Sequence, residues 1–182
     1  WDVLPWSPRV HLVLFVHRVH GLAPGLYALP RSEQGQALLR ASLRSEFAWT
    51  PLPEAPTHLP LFRLVSARAE RAAIRLSCHQ EIAGASAFSL AMLAEFDAQV
   101  QEFPWHYREL FWEAGVIGQA LYLEAEACGL RGTGIGCYFD DAVHETLGIA
   151  DKTLQSLYHF TVGGPLQDER LVSLPPYPNR TA

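Results

Sequence analysis

The stretch YRELFWEAGVIGQALYLEAEACGLRGTGIGCYFDDAVHETLG, Tyr107 to Gly148, decides the reading of this chain. Leu110, Phe111, Ala114, Ile117, Gly118, Leu121, Ala125 and Cys128 recur at steps of three and four, which predicts one continuous, mostly buried helix over Tyr107–Cys128. Gly129 stands where such a helix stops. Gly132, Gly134 and Gly136 then alternate with Thr133, Ile135 and Cys137. Glycines at this density remove Cβ atoms and let the backbone approach a flat bound group closely. Asp140 and Asp141 open a second, short helix that ends near Gly148. The glycines follow a helix rather than a strand, and no Gly-Lys-Ser/Thr comes after them. They are therefore neither a dinucleotide fingerprint nor a phosphate loop, and alone they justify a turn or a ligand loop.

At 182 residues the chain suits one domain, with a core large enough to need no disulfides. A net charge of −5 gives nucleic acid no electrostatic support. No apolar run is long enough to span a membrane, and the chain opens without a basic-then-apolar signal segment. The three cysteines, Cys78, Cys128 and Cys137, are odd in number and lack CxxC spacing, so free thiols in the cytoplasm are expected. The chain begins at Trp1, inside apolar sequence, and reads as a piece of a longer polypeptide.

Outward from the deciding stretch, Val10–Val19 reads as a buried strand and Leu26–Leu29 as a short returning one. Ser32 caps a helix through about Leu43, with Leu38, Leu39 and Leu43 inward. Prolines at 51, 53, 56 and 60 make Thr50–Pro60 a loop or lid, and Leu61–Val65 is a strand. Ala67 to about Glu81 reads as a helix; Ala87–Phe96 fits helix or strand by its pattern, and its position between two helices favours a central strand. Asp97–Phe103 is a short helix, Leu157–Val162 a core strand, and the proline-rich tail extended surface chain.

The deciding stretch, followed by LYHFTVGGP, resembles the C-terminal half of the FMN-dependent nitroreductase family. PGLYAL, at Pro24–Leu29, is similar to a turn of the SagB-type branch, which oxidises azoline rings to azoles in peptide natural products. The likeness spans about Val10–Tyr177 and is specific from Tyr107 to Arg170. It implies an α+β fold, a mostly antiparallel sheet covered by helices, as one nitroreductase-like domain over residues 1–182. It further implies FMN bound between two paired units, either a homodimer or a second nitroreductase-like unit. Gly134, Ile135, Gly136 and Cys137 would lie against the flavin, with Gly136 and Cys137 nearest N5, and Arg170 would hold the phosphate. Two-electron hydride transfer at N5 would involve a small-molecule or peptide substrate and NAD(P)H or oxygen as electron partner.

The sequence departs from the family in two respects. No Arg-Arg-Ser-x-Arg type motif, which holds the phosphate in other members, precedes Val10, and no Lys-Tyr pair offers a catalytic base. The alternative is a degenerate, non-catalytic module that scaffolds a partner enzyme. His11, His17 and His20 read as strand histidines without an acidic partner, not as a metal site, since His11 and His17 lie up to about 20 Å apart. Cys137 and His144 imitate a nucleophile–base pair without an orienting group. Glu124 and Glu126 fall on different helix faces as solvent charges, and Trp105, Tyr107, Phe111 and Trp112 are expected to pack in the core.

Overall fold

The computed structural model describes residues 3–166, 168–172, 174 and 177. Its core is one antiparallel sheet in the order β3-β4-β2-β1-β5-β7-β6. These are β1 (Val10–Val16), β2 (Gly25–Leu29), β3 (Thr50–Pro51), β4 (Phe62–Ser66), β5 (Phe88–Glu95), β6 (Arg131–Ile135) and β7 (Leu154–Gly163). The expected α+β class with an antiparallel sheet is what the chain adopts. β1 and β5 are apolar on both faces because both faces are covered, so they read as continuous runs and not as alternation.

Alternate residues of each strand feed two cores. Val13, Phe15, Ala91, Leu93 and Leu154 face α1 (Glu33–Ser42), α2 (Glu70–Leu76), α3 (Ile82–Ala85) and α6 (Asp140–Leu147). Val10, Leu12, Leu90, Met92, Phe160 and Val162 face α5 (His106–Ala127), which α4 (Asp97–Glu102) precedes. Ser32 caps α1 as expected, its hydroxyl accepting from the Gly35 N–H at 2.9 Å. Gly148, left-handed at φ 84°, ends α6.

Three expectations need correction. The helix expected over Ala67–Glu81 spans only Glu70–Leu76, because Cys78 (φ 52°) and His79 (φ 59°) turn left-handed after it, and a separate short helix, Ile82–Ala85, follows. The long helix is continuous over 22 residues but is not mostly buried. Leu110, Glu113, Ala114, Ile117, Gly118 and Ala125 form its single buried stripe, while Trp105, Tyr107, Phe111 and Trp112 stand in solvent and not in the core. Part of the glycine turn is the edge strand β6, paired with β7 from Arg131↔Gly163 to Ile135↔His159. Most of the proline-rich tail lies outside the described residues.

α5 is anchored by a carboxylate inside its apolar stripe. Glu113, fully buried, accepts from the backbone N–H groups of Arg9 and Val10, each at 3.0 Å, and from Trp6 Nε1 at 3.2 Å. Arg31 donates to the same carboxylate and, at 3.0 Å, to the Val10 carbonyl. Removing one partner of a buried pair leaves the other charge uncompensated, at a cost of about 3–5 kcal/mol. Glu113→Ala should therefore lower unfolding free energy by at least about 3 kcal/mol, near 6–12 °C in Tm for a chain of this size. An unfolding free energy from denaturant titration within about 1 kcal/mol of the parent would show that the carboxylate is not the anchor.

Candidate functional site

The glycine segment lies along the free edge of the sheet, and its glycines serve two purposes. A Cβ on Gly132 would stand 2.8 Å from Phe160, and one on Gly134 would overlap the Tyr158 hydroxyl. These two positions are bare so that aromatic rings of β7 and α5 can lie over the edge strand. The Gly134 N–H donates to Tyr122 Oη at 2.7 Å, which fixes α5 to β6. Ile135 points into the core. Gly136 differs: nothing lies within 4 Å of a Cβ built there, and its φ is not left-handed. Neither local packing nor backbone conformation requires that glycine. Among the described residues, neither the Gly136 nor the Cys137 N–H donates to a protein acceptor, and both residues are exposed.

Cys137 is not a free thiol. It forms a disulfide with Cys78, Cα–Cα 5.7 Å, and Cys128 is the free cysteine. The expectation of three free thiols is wrong because the partners lie 59 residues apart and meet only through the fold. Closing a loop of that length stabilises by about 4 kcal/mol in the chain-entropy account. The disulfide also removes Cys137 as a nucleophile, and His144 Nε2 instead accepts from the Ser156 N–H at 3.3 Å.

Beyond Cys137, the strip leading to α6 is held against the α2–α3 turn. Gln80 Nε2 donates to the Cys137 carbonyl at 3.1 Å, and the Phe139 N–H donates to the Leu76 carbonyl at 2.9 Å. The Tyr138 ring stacks on His159, centroids 4.5 Å apart and planes within 11°. His159 sits between Ser77 Oγ at 3.1 Å and Ser156 Oγ at 3.3 Å. Burial pushes His159 down to about 4, and burial, then Asp140 and Tyr107, pushes Tyr138 up to about 12. Both rings are thus neutral near pH 7.

Arg170 makes its hydrogen bonds to Asp168 and not to this strip. It is exposed, and its Nε and Nη2 grip the Asp168 carboxylate at 2.8 and 2.6 Å. A phosphate would have to share or displace that partner. The cleft of about 440 Å³ lined by Leu12, Leu29, Arg31, His58 and Ile117 lies across the sheet, at β1–β2, and does not involve Gly134–Cys137. His11, expected to lack an acidic partner, has one: its Nδ1 accepts from the Arg31 N–H, so Nε2 carries the hydrogen given to Glu95 at 3.1 Å. Among the described residues no His/Cys/Asp/Glu group could hold a metal. Glu126 pairs with Arg131 at 2.9 Å in solvent, in keeping with a surface charge.

The comparisons bear on this geometry. A family model described as the nitroreductase family matches residues 64–164, more than half of the 182. The chain belongs to the nitroreductase family. This nitroreductase-family chain is similar to a protein of Anabaena variabilis assigned as a nitroreductase (25% identity, TM-score 0.66), over 87% of its own length and 27% of that chain. It also shares its fold with a chain of the Escherichia coli microcin synthetase McbBCD complex (17% identity, TM-score 0.60), over 88% of its length and 53% of that chain. A Ralstonia eutropha protein assigned as a nitroreductase (17% identity, TM-score 0.53) matches over 88% of this chain and 60% of its own. The chain therefore spans less than two thirds of each of these proteins. No curated protein matches the sequence.

Tyr122, Tyr158, Tyr138 and His159 are the site-forming residues that sequence reasoning missed. The alternation in LYHFTV could have separated Tyr158 and Phe160 from His159, since they leave opposite faces of β7. His159 also gives a pH test. Its folded value lies below the unfolded 6.5, so the unfolded chain binds the extra proton between about pH 6.5 and 4. Stability is thus lost as pH falls through that window, by up to about 3 kcal/mol from this group. Thermal melts from pH 7 to 4 should fall more steeply for the parent than for His159→Gln; parallel curves would contradict the assignment.

Proposed function

We propose that this chain is the flavin-contacting unit of an FMN-dependent oxidoreductase, of the SagB-type branch that PGLYAL resembles. One observation carries the reading: Gly136 is bare where neither packing nor φ demands it, at the end of an edge strand, beside an unspent Cys137 N–H. A flat ring laid there meets backbone, not side chains, beside N–H donors that have no protein acceptor. Bound FMN would supply the two-electron chemistry at N5. The chain's own part is to present the Gly136 and Cys137 amides to that atom and to hold them still through the Tyr138–His159 stack. Gly134 and Ile135 contribute by position, the first through Tyr122 and the second through the core. Arg170 takes the phosphate if Asp168 yields.

The strip is an open surface, and the exposed face of α5 continues it. Trp105, Tyr107, Trp112 and Leu123 are 49–60% exposed, and Tyr122 joins them to Gly134. A second nitroreductase-like unit covering this face would bury the aromatics and close the flavin site at once. A homodimer or a tandem unit would both serve. Substrate as a small molecule or peptide, NAD(P)H or oxygen as electron partner, and a cytoplasmic setting belong to the same proposal. The alternative is a non-catalytic scaffold, favoured by the Arg170 fork already filled by Asp168.

Absorption bands at about 370 and 450 nm in the purified protein would support the enzyme, whereas a colourless protein that FMN does not stabilise thermally supports the scaffold. Gly136→Val should raise the FMN Kd more than about 100-fold while leaving Tm within about 2 °C, because its side chain meets open space. Arg170→Ala should weaken binding by about 1.5–3 kcal/mol. Unchanged affinity in Gly136→Val would remove the glycine edge from the flavin site.

A further inference from the structure

We infer that the Cys78–Cys137 disulfide is a reversible redox clamp on the strip from Gly136 to Phe139, so that a dithiol reductant loosens the surface offered to the flavin. Its effect on flavin rests on the function proposed above; the clamp itself stands on the geometry of the strip. Cys137 is exposed and Cys78 half-buried, so a thiolate arriving from solvent can reach a sulfur. The bond joins two segments with little else between them. Gln80 to the Cys137 carbonyl, the Phe139 N–H to Leu76, and an edge contact of His79 with Phe139 at 5.6 Å tie the turn to the strip.

The turn itself is poised to move. Cys78 and His79 are consecutive non-glycine residues in the left-handed region, a conformation that persists only where the surroundings fix it. The disulfide is the covalent part of those surroundings. Once it is cut, the turn can relax toward ordinary φ and carry Gln80 away from the strip. Ser77, at the root of the turn, touches His159, under the Tyr138 ring, so relaxation reaches the stack as well. Cys128 cannot trade places with either sulfur within one chain, since it caps α5 at the far end of β6, roughly 17 Å of strand away.

The exchange balances as follows. A dithiol attacks one sulfur as thiolate, giving a mixed disulfide, and its second thiol displaces the remaining cysteine. Two electrons and two protons pass from the dithiol to Cys78 and Cys137, and the reagent closes as its own disulfide.

The test uses the whole chain, oxidised with diamide or reduced with dithiothreitol. Thiol titration after denaturation should return one group in the oxidised protein and three in the reduced. Amide hydrogen exchange in peptides covering residues 77–80 and 136–139 should then quicken at least about 10-fold on reduction, while β5 is unchanged, and reoxidation should reverse it. FMN Kd should rise about 10-fold, and Cys78→Ser with Cys137→Ser should match the reduced protein in both readouts. Three thiols after diamide, or exchange that stays the same with three thiols free, overturns the clamp. Quickened exchange with no FMN bound in either state keeps the clamp and ends the flavin reading. Quickened exchange with equal FMN affinity overturns the control of flavin by the clamp.

Discussion

The close seat of α5 on the sheet is the constraint on which the other features depend. Ala114, Ile117 and Gly118 bring the helix down onto β7 until a Cβ on Gly118 would stand 3.3 Å from the Tyr158 ring. One turn further, Tyr122 lands against Phe160 at 4.7 Å between centroids and reaches the Gly134 N–H. The glycines of β6 are the counterpart of that approach, since side chains at 132 and 134 would collide with the same rings. Glu113, in the same stripe, ties the N-terminal segment to the helix through two backbone N–H groups. A helix placed even slightly higher would lose all of these together.

Much of the architecture was legible because it rests on local pattern. The Ser32 cap, the Asp140–Gly148 helix and the β7 strand follow from periodicity and end signals within a few residues of themselves, while Ala87–Phe96 fits either pattern and reads as a strand only from its place between helices. What was not legible depends on partners far along the chain. Cys78 meets Cys137 across 59 residues, and His11 meets Glu95 across 84. Apolar periodicity on α5 likewise shows which residues are apolar and not which face is covered: Leu110 is buried while Phe111 is exposed. The candidate site was legible as a glycine cluster. Its division into packing glycines at 132 and 134 and an unexplained one at 136 required knowing what lies above each.

That division shapes the functional account. The glycine edge is not a pocket, and the cleft beside β1 and β2 sits elsewhere on the sheet. An open edge and a row of exposed aromatics on the neighbouring helix are what the proposed pairing with a second unit would cover. On that proposal the stack of half-buried Tyr138 on buried His159, together with the disulfide, supports the edge from behind and keeps the Gly136–Cys137 amides in place.

The central claim is that these two amides face the flavin, and an amide-resolved FMN titration followed by ¹H–¹⁵N correlation spectra tests it most directly. The account predicts saturable shifts at Gly136 and Cys137, with Gly129, at the far end of β6, unmoved. Spectra that do not change at millimolar FMN, or that change at Gly129 and leave Gly136 and Cys137 in place, would contradict it.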